Sequence, residues 1–484
     1  MHSTIKNSTI YLSQIAISGV LMLVLVLIIS QYLMPDELGQ FVLAQVYAGI
    51  AVGIANFGML LGYERNFFEF EKSKVDSAKL ISSALIFVVI NLTILLYAVY
   101  LFQLEISNLI LSENAHSDLL LVVLVGAMFS SLSQYYLTFL KNSGLVKSYA
   151  KYVIGNSAIY FSLAVVFMVQ SNLGVMSLAY AWIVSNLILF ALLFLVLRRE
   201  LPIGFDRGML KAMLKISLPL TPRILFGFMS TQLDKILLGL IGSSASVGIY
   251  HIGQGFAATI FQFMTGLDRV FQPELYRKLF ADKHTNNSYE INNYILPFFY
   301  ISIFVALIVV LFSKEFVLLF LSGEYQKATP IISILSIYYA SLFFGKVTGN
   351  QLIYAKKTHL TTLVTLLGIA INFGLNIPFI INWGIVGAAW ATTISGIIMT
   401  IVSFYFAQKH AKITWQWKSI FTIYSLFLAV TAFAMVDYSF SIDLYKSLML
   451  KLLIVFLYIV AGYMLNIIST KKIKDIFERT GNEE

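Results

Sequence analysis

The sequence has no cysteine among its 484 residues and only six histidines. The absence of thiols excludes a disulfide framework, a thiolate nucleophile and a cysteine-based metal site. The histidines stand singly, with none in an HExxH spacing, so they indicate no zinc site. There is also no GxxxxGKS/T loop, so no P-loop nucleotide motor is encoded in this chain. We therefore expect neither a metal nor a cofactor.

Charged residues are also scarce, at 12% of the chain, where a soluble domain carries about a quarter. Hydrophobic residues reach 59% and the mean hydropathy is +0.83. So much apolar surface requires lipid as its solvent. A polar start is followed by an apolar run of well over twenty residues. It has no Ala-x-Ala-like cleavage site, so we predict a retained membrane span and not a signal peptide.

Apolar runs long enough to cross a bilayer recur along the whole chain. A hydrocarbon core about 30 Å thick needs about 20 apolar residues as helix. Spans of a β-barrel would be about ten residues long and would alternate in polarity, which these runs do not. The sequence therefore predicts an all-α polytopic membrane protein with about 14 transmembrane helices. The runs lie roughly at 9–33, 38–62, 79–102, 119–140, 152–170, 174–197, 216–241, 247–272, 294–312, 329–354, 360–381, 384–407, 418–436 and 445–468.

Lysine and arginine are concentrated in alternate loops. Cytoplasmic loops of membrane proteins carry an excess of these residues. If the N-terminus is cytoplasmic, the opposite loops hold only Lys314, Lys327 and Lys446. An even number of spans then places both termini in the cytoplasm. This topology explains the net charge of +9 and the pI near 9.3, so nucleic acid is not an expected partner.

Three pairs of segments recur at an offset of 209 or 210 residues. Each pair occupies the same place in the order of helices, and six helices in each half give both copies the same orientation. We predict a parallel internal duplication with its axis along the membrane normal, which suits alternating access between two lobes. The pairs are Leu38–Phe41 with Val247–Tyr250, Leu109–Ser112 with Leu319–Ser322, and Asn172–Val175 with Asn382–Ile385.

The duplication predicts two six-helix lobes followed by two additional C-terminal helices. The expected limits are 1–200 for the N-terminal lobe and 208–410 for the C-terminal lobe. The two additional transmembrane helices occupy 415–470, and 471–484 form a cytoplasmic tail.

Ionisable residues inside the spans cost about 2.5–3.5 kcal/mol each and are functional candidates for that reason. Arg223 and Lys346 are the strongest, because neither has a carboxylate close by in sequence. The others have competing structural interpretations, such as pairing with a neighbouring helix or snorkelling to the cytoplasmic surface. The full set is Glu64, Arg65, Arg223, Asp234, Lys235, Asp268, Arg269 and Lys346.

These charges predict a net cationic cavity. Its natural cargo is anionic, and phosphate or pyrophosphate is the usual partner of Arg and Lys. Pro219 and Pro222 lie in the same predicted span as Arg223. They predict a bend in the helix that begins the second lobe.

The stretch Ser217–Arg223, followed by Asp234–Gly239 and Gly248–Tyr250, resembles bacterial polysaccharide flippases of the Wzx type. These belong to the multidrug/oligosaccharidyl-lipid/polysaccharide exporter superfamily. Leu38–Phe41 and Asn382–Ala389 resemble the repeated signatures of the same family. The resemblance covers essentially the whole chain, including its length and number of helices.

The resemblance implies translocation of undecaprenyl-pyrophosphate-linked oligosaccharide repeat units from the cytoplasmic to the periplasmic leaflet. The setting would be the bacterial cytoplasmic (inner) membrane and the synthesis of a surface polysaccharide such as the O-antigen of lipopolysaccharide. The polysaccharide polymerase and chain-length regulator are candidate partners beside the lipid bilayer. The implied substrate contacts are Arg223, Lys235, Arg269, Lys346 and Arg65, and the implied ion-coupling candidates are Asp234, Glu64 and Asp268.

Three alternatives remain open at this point. A lipid II flippase has the same number of spans. An ion-coupled multidrug exporter of the same superfamily typically has twelve spans and handles cationic cargo, which fits the surplus of intramembrane Arg and Lys poorly. A membrane polymerase or glycosyltransferase would carry its catalytic groups in a large periplasmic loop. The longest such connections here, at 103–118 and 313–328, have only about sixteen residues.

Overall fold

The computed structural model describes residues 2–111, 117–171, 173–285, 288–440, 444–465 and 467. All regular structure in these ranges is helical. A short 3-10 helix, Gly323–Tyr325, accompanies sixteen α-helices. These are α1 (His2–Tyr32), α2 (Pro35–Asn56), α3 (Met59–Phe70), α4 (Lys74–Leu101), α5 (Gln103–Leu111), α6 (Ser117–Asn142), α7 (Val146–Ser171), α8 (Met176–Leu197), α9 (Arg207–Ile241), α10 (Ser244–Thr285), α11 (Ser288–Leu311), α12 (Ser313–Phe320), α13 (Ala328–Tyr354), α14 (Thr358–His410), α15 (Trp417–Phe440) and α16 (Leu444–Met464).

Twelve of the described helices are long and apolar enough to cross a membrane. One of them, α14, consists of two helical arms that meet at Gly384, where φ is 56°. The 42-residue α10 also has the length of a span, although charged residues in its second half lower its mean hydropathy. Counting both arms of α14 and adding α10 gives fourteen spans. The predicted all-α polytopic fold is confirmed.

The chain separates into two compact units, Met1–Gly248 and Ile249–Glu484. Helix α9 packs against α2, α3 and α4 and so belongs to the first unit. The predicted lobe limits were drawn from the sequence repeat, whereas these two units are defined by contacts between residues. The lobe limits therefore stay a prediction. The predicted tail at 471–484 lies outside the described residues.

The internal repeat has a physical basis at its first signature. Helix α2 begins at Pro35 and α10 begins at Ser244, and the two starts cross within the first unit. A Cβ atom at Gly39 would collide with the backbone oxygen of Ser244, and one at Gly248 would collide with that of Pro35. Glycine at both equivalent positions therefore allows the two backbones to touch.

The third signature is also visible in the backbone. Gly174 before α8 has φ of 53° and Gly384 within α14 has φ of 56°, a conformation that favours glycine. The two glycines stand at equivalent positions of the repeat. Two residues of the predicted signatures, Ser112 and Asn172, lie outside the described residues.

The second predicted span is interrupted, which the sequence did not indicate. Phe57 and Gly58 adopt left-handed φ angles of 48° and 62° and separate α2 from α3. Asn56 at the break donates to the Ser131 hydroxyl at 3.0 Å and accepts from the Tyr135 hydroxyl at 2.6 Å. Two side chains of α6 thus hydrogen-bond the Asn56 amide at the point where the helix is broken.

The two C-terminal spans are tied to the second unit by a buried ionic network. Lys451 of α16 contacts Glu315 of α12 at 2.6 Å and Asp437 of α15 at 2.8 Å. Asp437 also accepts from Lys314 at 2.9 Å and from the Ser447 hydroxyl at 2.8 Å. Lys451 and Asp437 are fully buried. We call Lys314, Glu315, Asp437, Ser447 and Lys451 the α16 ion network.

A second polar contact joins α16 to α11. The Tyr300 hydroxyl donates to the Tyr458 carbonyl at 2.9 Å, and the Tyr458 hydroxyl donates to the Tyr300 carbonyl at 3.0 Å. The two rings stack with centroids 4.6 Å apart. Gly462 leaves room for the Tyr300 ring, because a Cβ atom there would lie 2.6 Å from it.

Candidate functional site

Two predicted site residues lie on α3 and have partners close by. Glu64 accepts from Lys141 of α6 at 2.6 Å, so the pair joins two helices. Arg65 contacts Glu69 one turn later at 2.7 Å, with both side chains more than half exposed. An exposed pair of this kind contributes about 0–1 kcal/mol. Arg65 is available to a ligand at little cost.

Helix α9 carries three predicted site residues with different surroundings. Arg223 is exposed near the middle of the helix, just after Pro222. It has no ion-pair partner among the described residues. Asp234 and Lys235 are both buried, and the Lys235 ammonium donates to Gln232 on its own helix at 3.1 Å.

The sequence around Arg223 explains why this part of α9 is unusual. Pro219 and Pro222 cannot donate backbone hydrogen bonds within the helix. The Thr221 hydroxyl donates to the Ser217 carbonyl at 3.0 Å, which occupies one acceptor in this weakened turn. The same turn faces the break between α2 and α3, since a Cβ atom at Gly58 would lie 3.1 Å from the Ser217 oxygen.

In the second unit, the structure brings together two predicted residues that are far apart in sequence. Lys346 of α13 lies 3.7 Å from the Asp268 carboxylate of α10 and 5.1 Å from the centre of the Phe261 ring. Asn350, one turn along α13, donates to Asp268 at 3.2 Å. Asp268 therefore neutralises Lys346, which the sequence left without a partner.

Asn350 is itself held by two side chains of α10. Its amide oxygen accepts from Gln272 at 2.8 Å and from the Tyr276 hydroxyl at 3.2 Å. These bonds fix the direction of the amide that faces Asp268. Sequence reasoning missed all three residues, because neutral polar side chains within a span carry no strong signal.

Arg269 follows Asp268 on α10 and is exposed. No ion pair to it is found in the described part of the chain. Arg223 and Arg269 are thus exposed arginines on helices of membrane-spanning length, one in each unit. We expect a charged side chain at such a position to face a water-filled or protein-lined space, because exposure to hydrocarbon is costly.

The α16 ion network was also missed, although a signal existed. Lys451 lies inside a predicted span, where any ionisable residue is a candidate, and Asp437 directly follows the span predicted at 418–436. Their partners Lys314 and Glu315 lie in a predicted loop, so no pairing could be inferred. The network is balanced, with two acids and two lysines, and this favours a structural role.

An apolar cavity of about 480 Å³ lies within the first unit, between α2, α4, α5 and α9. Its walls include Leu43, Tyr47, Phe102 and Ile236 and hold no charged side chain. It fits hydrocarbon and not an anionic headgroup. Within the described ranges, no group of three or more His, Asp or Glu side chains could hold a metal ion.

Comparison with known proteins places these features in a family. Residues 28–330, which is more than half of the chain, match the family described as polysaccharide biosynthesis protein. The probable low-salt glycan biosynthesis flippase Agl15 of Haloferax volcanii is 22% identical over 43% of this chain. The match spans 44% of that relative, so the chain covers less than half of its length.

Two solved structures share the fold. The lipid II flippase MurJ in an inward closed conformation has a TM-score of 0.70 at 17% identity, covering 95% of this chain and 98% of that one. An inward-facing multidrug resistance MATE family transporter of the MOP superfamily has a TM-score of 0.62 at 14% identity, covering 82% and 97%. At these identities the likeness shows the fold alone.

The matched region contains every predicted site residue except Lys346. Together with the shared fold, it confirms the resemblance to Wzx-type members of the exporter superfamily. The chain belongs to the polysaccharide biosynthesis protein family.

Proposed function

We propose that this protein translocates undecaprenyl-pyrophosphate-linked oligosaccharide repeat units from the cytoplasmic to the periplasmic leaflet by alternating access. The observation that carries the proposal is that two exposed arginines, Arg223 and Arg269, lie on helices of membrane-spanning length and form no ion pair with a described residue. Arginine binds phosphate groups through two parallel hydrogen bonds. An exposed intramembrane guanidinium is therefore suited to a lipid pyrophosphate.

The family and fold support transport over catalysis. The described loops at 103–111 and 313–327 fold largely into the short helices α5 and α12, and Glu315 of α12 is already paired with Lys451. The membrane potential adds a driving force, since each negative charge moving to the positive outer side gains about 2.3 kcal/mol per 100 mV. We infer a transporter in the cytoplasmic membrane, with Asp234, Glu64 and Asp268 as ion-coupling candidates.

The test measures flux of a labelled undecaprenyl-pyrophosphate oligosaccharide across proteoliposomes. We expect Arg223→Ala to lower the flux at least tenfold and Arg223→Lys to restore part of it, because lysine keeps the charge without the planar fork. Arg207→Ala, at the exposed start of the same helix, serves as a matched control and should leave the flux unchanged. Thermal melting of each variant checks folding.

The other outcomes discriminate between cargos. Flux that persists in Arg223→Ala would keep the transporter and remove Arg223 from the site. Flux of lipid II in place of the oligosaccharide would identify a lipid II flippase. Efflux of cationic dyes without any glycan flux would identify an ion-coupled multidrug exporter and contradict the proposal.

A further inference from the structure

The second unit contains a long stretch of chain without acidic residues. Between Glu324 and Asp437 the sequence has no Asp or Glu. The stretch includes α13, α14 and most of α15. The basic residues between α13 and α14 and between α14 and α15, with those at the adjoining helix ends, form a set that we call the basic end. The set comprises Lys356, Lys357, His359, Lys409, His410, Lys412 and Lys418.

The fold gathers the basic end on one side of the membrane. The two arms of α14 turn back at Gly384, so its first and last residues emerge on the same side. The Gln351 side chain at the end of α13 donates to the Ala411 carbonyl after α14 at 2.6 Å. Residues 356–359 and 409–412 are therefore neighbouring segments and form one surface.

The charges of this surface are not compensated. Six of the seven side chains are exposed and Lys357 is half-buried. None of them forms an ion pair with a described residue. The neighbouring start of α11, where Asn292 and Asn293 accept from Gln416, carries Glu290, which already pairs with Lys278 of α10.

Topology alone does not explain the lack of acids. Membrane orientation depends on Lys and Arg, and Asp and Glu contribute little to it. By the repeat offset, the loops of the first unit equivalent to the basic end lie at about 141–151 and 198–207, and the second of these contains Glu200 and Asp206. Two lysines of the first unit are paired, Lys74 with Glu200 and Lys141 with Glu64. The basic end is thus a local feature of the second unit.

The kind of basic residue indicates the kind of ligand. The basic end contains lysine and histidine but no arginine, whereas the candidate cargo contacts include Arg223 and Arg269. Lysine acts as a mobile point charge, and arginine provides the planar fork for bidentate recognition. Trp417 is 45% exposed beside Lys418, and indole rings favour the depth of lipid headgroups.

We propose that the basic end is a binding surface for anionic phospholipid headgroups of the adjoining leaflet. Clusters of four to eight basic residues next to a transmembrane helix attract anionic lipids electrostatically. The bound lipids would steady the ends of α13 and α14. This surface includes none of the candidate cargo contacts, and the inference stands whatever the cargo is.

The test counts phospholipids retained by the full-length protein in native mass spectra after exchange into mixed phosphatidylglycerol and phosphatidylcholine. We expect the wild type to retain phosphatidylglycerol preferentially. The quadruple variant Lys356→Gln, Lys357→Gln, Lys409→Gln and Lys412→Gln should bind it at least threefold more weakly. The matched control makes the same charge change in the first unit, through Lys147→Gln, Lys151→Gln, Lys211→Gln and Lys215→Gln, and should keep the preference.

Three results would overturn the proposal. An equal loss of phosphatidylglycerol binding in both quadruple variants would show that the net charge of the protein, and not this surface, attracts the lipid. Unchanged binding in the first variant would exclude the basic end. Loss of farnesyl pyrophosphate binding with phosphatidylglycerol retained would assign the surface to cargo. If the quadruple variant does not fold, the double variant Lys409→Gln and Lys412→Gln is measured in the same way.

Discussion

At the scale of single residues, some intramembrane charges have an ion-pair partner, whereas Arg223 and Arg269 have none among the described residues. Lys346 is held by Asp268, and that carboxylate is held in turn by Asn350. The separation of 3.7 Å between Lys346 and Asp268 is long for a charge-assisted hydrogen bond, which measures about 2.7–2.9 Å. The pair is therefore loose, and an anion that approaches Lys346 competes with Asp268.

This competition predicts opposite effects of two substitutions. Asp268→Asn removes the competing carboxylate, so we expect severalfold tighter binding of a prenyl pyrophosphate to the purified protein. Lys346→Gln removes the cation and should weaken binding to a similar extent. Equilibrium binding of a fluorescent prenyl pyrophosphate measures both. Tyr276→Phe, which removes the hydroxyl that donates to Asn350 without changing the charge of a residue at the site, serves as the control. Changes in the same direction for both variants would show that the pair is structural.

At the scale of helices, the α16 ion network determines how the last two spans are attached. Apolar packing gives little driving force between helices in lipid, where the tails are as apolar as leucine. Polar contacts therefore carry much of the attachment of α16. They include the network at one end of the helix and the Tyr300–Tyr458 pair further along it. Spans thirteen and fourteen are consequently a fixed part of the second unit.

Removing Lys451 from the network should destabilise the protein strongly, and a second substitution should restore part of the stability. After Lys451→Met, Glu315 and Asp437 remain buried and Lys314 is the one lysine left in the network. Removing one partner of a buried pair costs about 3–5 kcal/mol. We expect a clear fall in melting temperature. Adding Glu315→Gln restores the charge balance and should recover part of the loss. Thermal unfolding in detergent measures each variant, with Lys327→Met at an exposed position as the control. A double variant no more stable than Lys451→Met would refute the coupling.

At the scale of the whole molecule, hydropathy predicted the helical class and the approximate limits of the spans. It did not predict the break at Phe57–Gly58, because a single glycine is common in transmembrane helices and phenylalanine gives no signal. For the candidate site, intramembrane charge predicted Arg223, Arg269 and Lys346, and their role stays a prediction. The pairing of Lys346 with Asp268, and that of Lys451 with Glu315, depends on tertiary contacts that a single sequence does not contain.

The membrane orientation is a further prediction at this scale. The chain has no cysteine, so a single introduced cysteine reports one position without background. In intact cells we expect an impermeant maleimide to label Lys327→Cys, at a predicted periplasmic loop. It should label Lys72→Cys and Lys412→Cys only after permeabilisation. The reverse pattern would show that the lysine-rich loops face outward.

The α16 ion network also has a consequence for biosynthesis. Helix α12, which carries Glu315, is translated long before α16, which carries Lys451. Until α16 is made, the network has two acids and only Lys314 to balance them, and therefore carries surplus negative charge. The ammonium of Lys451 balances that charge. Closure of the network therefore depends on the insertion of α16 after α12 and α15 have been made.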